Sequence, residues 1–232
     1  TQYITFKDCK RRFFMKYYKN LPIDGHEEIE KEGKYVLKPT VRGNIVHKFC
    51  ELYRIGKNKN DLLNDIIISF GLKPTYRVLN EVKPYITNYI DNYSEDYDKM
   101  YNEKEFYYKV GNDFVFGIID RMYIKDGSIE IIDFKTNKAD NKEELIDRYS
   151  PQLQLYTKAC KDIYGLEVKK ASLLLLETGE LLDVDIGKEA LDKNLKNIDK
   201  FIKYVSNNNS IEDYERKEIC SSYCNFNIIC ND

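Results

Sequence analysis

Between residues 114 and 135 the apolar residues fall on alternate positions: Phe114, Phe116, Ile118, Asp120 and Met122 in one run, then Ile129, Ile131, Asp133 and Lys135, with Asp126-Gly127 between them. A period of two is that of a half-buried strand, and Asp-Gly favours a two-residue primed turn, so the segment predicts a β-hairpin. In that register Lys125 opposes Ser128 and Asp120 opposes Asp133. A three-residue turn would set the two acids on a diagonal instead. Directly opposed side chains have Cβ atoms about 4.5–5.5 Å apart, where like charges repel, more strongly at the end of an apolar face that water screens poorly. A chain with this hairpin must neutralise the pair.

Both acids continue the apolar stripes of their strands, so a bound divalent cation is the natural compensator, and oxygen ligands of this kind suit magnesium or manganese. Lys135 follows Asp133 by two residues and points to the same face. An ammonium there can orient a water and stabilise developing charge, as hydrolysis of a phosphodiester demands. The plainer reading of the same three residues is a salt-bridged triad at a sheet edge. His47, one of two histidines, lies mid-helix beside an apolar stripe, where a lone histidine is more often packed or surface-exposed than a ligand. Glu51 follows at i+4 on the same helix face, so both could look toward a metal.

The rest of the sequence frames the hairpin. Helical spacing runs from about Thr5, a plausible N-cap, to Tyr18, with Phe6, Phe13, Phe14 and Tyr17 as apolar contacts. Further helices are predicted over 40–55, with Val46, Phe49, Cys50 and Tyr53 facing inward, then near 60–70 and 75–97. After the hairpin come a helix from about Ser150 to Tyr164 and the apolar run Ala171 to Leu176, a strand buried on both faces; that order implies a parallel crossover. A last amphipathic helix carries Leu191, Leu195, Ile198, Ile202 and Val205, while 19–40 and 205–213 read as loops. The expected fold is α/β: a central mixed β-sheet flanked by helices, in one domain spanning 1–232.

Charge and cysteines narrow the class. Thirty-seven Lys and Arg against thirty-nine Asp and Glu give a net charge of -2, so nucleic-acid binding has to come from a local patch. Residues 1–20 offer one, with Lys7, Lys10, Arg11, Arg12, Lys16 and Lys19 against Asp8 alone. No run reaches the roughly 20 apolar residues of a membrane span, and no leader opens the sequence; a cytoplasmic protein is the expectation. No phosphate-binding G-x-x-x-x-G-K-[ST] run occurs, so ATP-driven work would need a partner. Cys220, Cys224 and Cys230 lie within eleven residues, and Cys9 sits at the other end of the chain. Three clustered thiols call for a soft metal and one more ligand, either zinc or an iron–sulfur cluster; spacing alone leaves both open. Cys50 and Cys160 lack such companions and read as buried thiols.

Taken in order, Arg42-Gly43-x-x-Val46-His47, Gly117-Ile118-Ile119-Asp120-Arg121, Ile131-Ile132-Asp133-Phe134-Lys135-Thr136 and Gln152-x-x-x-Tyr156 resemble the RecB-like branch of the PD-(D/E)XK nucleases, whose core is that of restriction endonucleases. The resemblance implies that His47, Asp120, Asp133 and the backbone carbonyl of Phe134 hold the catalytic metal, and that Lys135 positions the attacking water. It implies that Gln152 and Tyr156 support the site or contact DNA; ordinary helix packing explains them equally well. It also selects a [4Fe-4S] cluster over zinc, because AddB-type and CRISPR spacer-acquisition nucleases of the superfamily hold one with an early cysteine and three late ones, here Cys9, Cys220, Cys224 and Cys230. The late spacing here is C-x3-C-x5-C, where those relatives usually have C-x2-C-x5-C. The cluster would join residues 1–20 to 205–232.

The expected activity is therefore Mg²⁺- or Mn²⁺-dependent DNA hydrolysis, as an exonuclease on single strands or ends, with a helicase or recombination partner. Arg11, Arg12, Lys16 and Arg42 are candidate DNA contacts, and the aromatics interleaved with the N-terminal basic residues could stack bases. Two rivals remain: a CRISPR-associated spacer-acquisition nuclease, against which Asp133 stands where that type often has Glu, and a catalytically silent DNA-binding scaffold.

Overall fold

The computed structural model describes residues 2–21, 28–31, 34–137, 140–218, 224, 226, 229 and 230. They divide into two compact units, one of Thr1–Gly25, Lys109–Val115 and Lys188–Asp232, the other of His26–Tyr108 and Phe116–Gly187.

Outside Lys109–Val115, the second unit holds a mixed five-stranded sheet: β3 (Lys99–Val110), β4 (Asp113–Lys125), β5 (Ser128–Lys135), β6 (Glu167–Leu175) and β7 (Glu180–Asp183), hydrogen-bonded in that order. The β4–β5 hairpin forms in the predicted register, from Lys125↔Ser128 to Arg121↔Ile132. Asp126 and Gly127, at φ 48° and 68°, give the primed turn its two positive φ values. β6 runs parallel to β5, with Asp133 opposite Leu173, and β7 returns antiparallel. The connection from β5 to β6 is α6 (Lys142–Tyr164), which Asn141 caps by accepting from the Glu144 amide at 3.1 Å. This helix starts eight residues before the predicted Ser150, because Asn141 and the acidic pair Glu143-Glu144 form a stronger start than Ser150-Pro151, and Pro151 is tolerated inside it.

Helices α3 (Pro39–Leu52), α4 (Lys59–Ser69) and α5 (Tyr76–Asp91) pack Ile45, Phe49, Ile67, Val82 and Tyr89 into one core with Phe134 and Leu174 of the sheet. Successive residues of β5 thus meet different helices: Phe134 packs against Tyr89 of α5 at 5.5 Å between ring centroids, while Asp133 is held by Gln152 of α6. The sheet is flanked by helices, as the sequence predicts. Other elements also differ from expectation. β3 is concealed by its Lys and Glu residues, which mask the alternation. The 19–40 segment contains a two-stranded pair, β1 (Glu28–Lys31) with β2 (Lys34–Leu37). α5 ends at Asp91 rather than 97.

In the first unit the N-terminal helix is broken. α1 (Gln2–Asp8) stops at Cys9, whose backbone is extended (φ -164°, ψ 114°) and whose Sγ accepts from the Arg12 amide at 3.5 Å, capping α2 (Lys10–Phe13). Thr5, read as an N-cap, instead lies inside α1, where its carbonyl accepts from the Cys9 amide at 2.9 Å. A π-helical turn (Phe14–Tyr18) follows. Phe13 and Phe14 point inward and with Tyr214 form a buried cluster against Phe6, Phe201 and Tyr204, the last two from α7 (Lys188–Asn207), whereas Tyr18 is exposed. Burial takes Phe13 and Phe14 out of reach of a nucleobase.

Candidate metal centre and catalytic site

Where the β4–β5 ladder reaches Arg121 and Ile132, the next residues are Asp120 and Asp133. Asp120 Oδ2 accepts from the Phe134 amide at 2.7 Å and lies 3.6 Å from His47 Nδ1. Burial pushes the Asp120 carboxyl above its ordinary range, and the neighbouring Asp133 charge adds to the rise; His47 and Lys135 pull the other way. Asp133 is almost wholly buried. Its Oδ1 accepts from Gln152 Nε2 at 3.0 Å, and its Oδ2 forms an ion pair with the Lys135 ammonium.

Lys135 is buried, which disfavours its charge, yet Asp133 and Asp120 more than offset this and hold the amine protonated. The Tyr149 ring covers it, with Nζ 4.3 Å from the centroid. Gln152 uses its amide nitrogen twice, the second contact going to Tyr156 Oη at 2.6 Å. Burial and the two aspartates drive the Tyr156 pKa well up, so its phenol stays neutral. The i,i+4 spacing of Gln152 and Tyr156 on α6 makes this relay.

His47 reaches the site because α3 approaches the end of β5 closely: a Cβ on Gly43 would lie 3.2 Å from Thr136 Oγ1. Gly117 serves β4 in the same way, since a Cβ there would fall 2.5 Å from Phe106 Cζ and 3.2 Å from Tyr156 Cε1. At Gly117 packing leaves no room for a side chain, while at Gly43 a Cβ would be tight against one side-chain hydroxyl.

Among the described residues, one group of three has ligand atoms all within 4.8 Å of one another: His47, Glu103 and Asp120. Glu103 of β3 is a residue that the sequence reading missed, hidden in the charged run Asn102-Glu103-Lys104-Glu105 of an unassigned strand. Its backbone is left-handed at φ 46°, a conformation that costs a non-glycine residue about 1–2 kcal/mol. Partial burial, then Asp120, Glu51 and Asp133, raise its carboxyl to about 7, with Lys48 opposing. Asp133 is outside the close group, being held by Gln152 and Lys135. Glu51 is engaged by Lys48 at 2.7 Å.

The remaining predicted residues are placed as follows. Arg42 pairs with Glu81 at 3.7 Å and lies 5.0 Å from the Tyr85 ring centroid. Arg11 donates to the Tyr214 carbonyl at 2.6 Å, Lys16 sits over the Tyr17 ring, and Arg12 is exposed. Cys9, Cys224 and Cys230 line one cavity of about 110 Å³ together with Arg12, Arg216 and Lys217. Cys220 lies outside the described residues. Cys50 and Cys160 are buried thiols.

Comparison with known proteins bears on the same arrangement. A solved structure from Eubacterium rectale, described as a candidate exonuclease, superposes with a TM-score of 0.60 at 13% identity, covering 97% of this chain and 86% of that one. An ATP-dependent helicase/nuclease subunit from Streptococcus pyogenes serotype M5 (strain Manfredo) is 41% identical over 64 residues, which is 28% of this chain and 5% of that protein. Its counterpart in serotype M2 (strain MGAS10270) is 40% identical over 70 residues, 29% of this chain and 6% of that one. This chain therefore spans only a small part of the length of these relatives. The family model for the PD-(D/E)XK nuclease superfamily matches residues 1–231. With two neighbouring strands presenting Asp120, Asp133 and Lys135 at one end of a mixed sheet, and with that match over nearly its whole length, this chain belongs to the PD-(D/E)XK nuclease superfamily.

Proposed function

We propose that this chain is a Mg²⁺- or Mn²⁺-dependent DNA nuclease of the RecB/AddB-like branch, acting as an exonuclease on single strands or frayed ends. The observation that carries the reading is the juxtaposition of Asp120 and Asp133 on adjacent strands, with Lys135 against one and His47 and Glu103 against the other. Three carboxylates face one ammonium, and burial, with the neighbouring negative charges adding to it, keeps Asp120 and Glu103 above their ordinary pKa. A hard divalent cation removes that penalty, and carboxylates with a single imidazole suit magnesium or manganese. His47, Glu103, Asp120, Asp133 and the Phe134 carbonyl would hold it. When bound, the ion supplies Lewis acidity toward the phosphate and acidifies a water.

The protein's own groups do the rest. Lys135, protonated, donates to the attacking water and stabilises charge developing on the phosphoryl oxygens. Gln152 fixes the rotation of the Asp133 carboxylate, and neutral Tyr156 fixes Gln152. The name of the streptococcal relatives joins helicase and nuclease in one protein, which supports a helicase partner or a helicase segment acting with this chain.

In the first unit, the cavity shared by Cys9, Cys224 and Cys230 supports a soft-metal centre, read here as a [4Fe-4S] cluster. Arg12, Arg216 and Lys217 line the same cavity and would balance the negative charge of such a cluster.

End-labelled single- and double-stranded DNA incubated with Mn²⁺ tests the assignment. Asp133→Ala and Lys135→Ala should each cut activity by about 100-fold or more while keeping a cooperative thermal transition. Unchanged cleavage by either folded variant overturns it.

A further inference from the structure

Arg121 is matched by the sequence motif next to Asp120 but has no part in the chemistry above. It is among the largest fully buried side chains of the molecule, 1% exposed. Among the described residues its charge is met by no carboxylate. Instead Nη2 donates to the Cys50 carbonyl at 2.6 Å, Nε to Asn102 Oδ1 at 3.0 Å, and Nη1 to Tyr123 Oη at 3.2 Å. The rings of Tyr89, Tyr93, Tyr123 and Phe134 surround the guanidinium at 5.1–5.7 Å from their centroids.

The Cys50 carbonyl belongs to the last turn of α3, where a helix leaves its final carbonyls unpaired and carries partial negative charge. Every one of these acceptors is occupied. The Tyr53 amide takes Phe49 O at 2.9 Å; Arg121 and Tyr89 Oη take Cys50 O; Asn102 Nδ2 takes Glu51 O at 2.7 Å; Lys57 takes Leu52 O at 3.3 Å. Arg121 and its partner Asn102 therefore clamp the end of α3 to β4 and β3 through a planar fork with fixed donor directions.

Each group in this clamp stands beside one member of the candidate metal group. Arg121 adjoins Asp120, Asn102 adjoins Glu103, and Cys50 lies one helical turn after His47. We propose that Arg121 is the positioning residue that sets the mutual spacing of His47, Glu103 and Asp120, and through it the affinity of the site for a divalent cation. The inference rests on the reading of those three residues as metal ligands. Lysine at 121 keeps a charge but has no fork, so it cannot hold Cys50 O and Asn102 at once.

Mn²⁺ titration by calorimetry, on proteins with a cooperative thermal transition, tests it. Arg121→Lys should bind Mn²⁺ about 10- to 100-fold more weakly than wild type, as loss of groups that orient metal ligands does. Asn102→Ala should weaken binding in the same direction. Val82→Ala, which opens the core on α5 about two turns before Tyr89, should lower stability but leave the affinity intact. Arg121→Lys combined with Glu103→Gln should cost less than the sum of the two single losses, because the first acts through the second. Wild-type affinity in folded Arg121→Lys, an equal loss in Val82→Ala, or full additivity with Glu103→Gln would each overturn the proposal. Wild type that binds Mn²⁺ and cuts no DNA would sink the nuclease reading and leave this one standing. Wild type that takes up no Mn²⁺ would remove both.

Discussion

Glu103 carries a charge that its surroundings resist, and that resistance has a measurable sign. Its carboxyl is raised from 4.5 to about 7 by partial burial and by Asp120, Glu51 and Asp133. A raised folded-state pKa means that the folded protein holds more protons than the unfolded chain between those values, so this group's contribution to metal-free stability falls as pH rises from 4.5 through 7. Divalent metal reverses the trend by favouring the ionised form. Denaturation midpoints measured without metal at about pH 5.5 and about pH 8 should therefore differ in favour of the lower pH, with added Mn²⁺ narrowing the gap. Glu103→Gln should flatten the metal-free profile, raise stability on the alkaline side and weaken Mn²⁺ binding; an unaltered pH profile in that variant would show the strain to lie elsewhere. Nothing in the sequence around Asn102-Glu103-Lys104-Glu105 distinguishes Glu103 from a solvated strand charge, because its role depends on a left-handed backbone and on helix α3 arriving from 56 residues earlier.

At the scale of elements, the β4–β5 hairpin was readable because turn chemistry and alternation agree over Phe114 to Lys135, and the observed pairs follow the predicted register. β3 was not, since Tyr, Lys and Glu occupy the positions where an apolar stripe would be sought. The break at Cys9 was also invisible: a thiol that caps a helix resembles any other cysteine inside a basic amphipathic run. Gly117 shows how tightly β4 is set against its neighbours. Gly117→Ala would place Cβ 2.5 Å from Phe106 Cζ, and we expect a loss of about 1–3 kcal/mol from overpacking, measured by urea denaturation. Phe106→Leu in the same chain should recover part of it by shortening the obstructing ring. An alanine variant as stable as wild type would mean that β4 shifts freely there.

For the molecule as a whole, the first unit adds charge and thiols. One groove of about 450 Å³ is lined by Lys7, Lys10, Lys200, Arg216 and Lys217, with Glu215 engaged by Lys10. If it tracks a single-stranded phosphate backbone, Lys7→Ala with Lys200→Ala should reduce the slope of log affinity against log salt by about 1.4, roughly 0.7 per lost contact, in a DNA-binding titration with Ca²⁺ replacing Mn²⁺. An unchanged slope would place the strand elsewhere. Anaerobic purification followed by metal analysis should find roughly four irons per chain with visible absorption, both lost in Cys224→Ser; a colourless zinc protein would overturn the iron assignment. By itself the sequence determined the period of the strands, the turn between them, the two opposed acids with their lysine, and the ordered motifs of the family, since these are properties of local spacing and residue type. Only the tertiary structure decided that Glu103 joins the site, that Phe13 and Phe14 face inward, and that Arg121 closes the end of α3. Each of these depends on contacts between segments distant in sequence, and the burial that fixes them arises only when the elements pack.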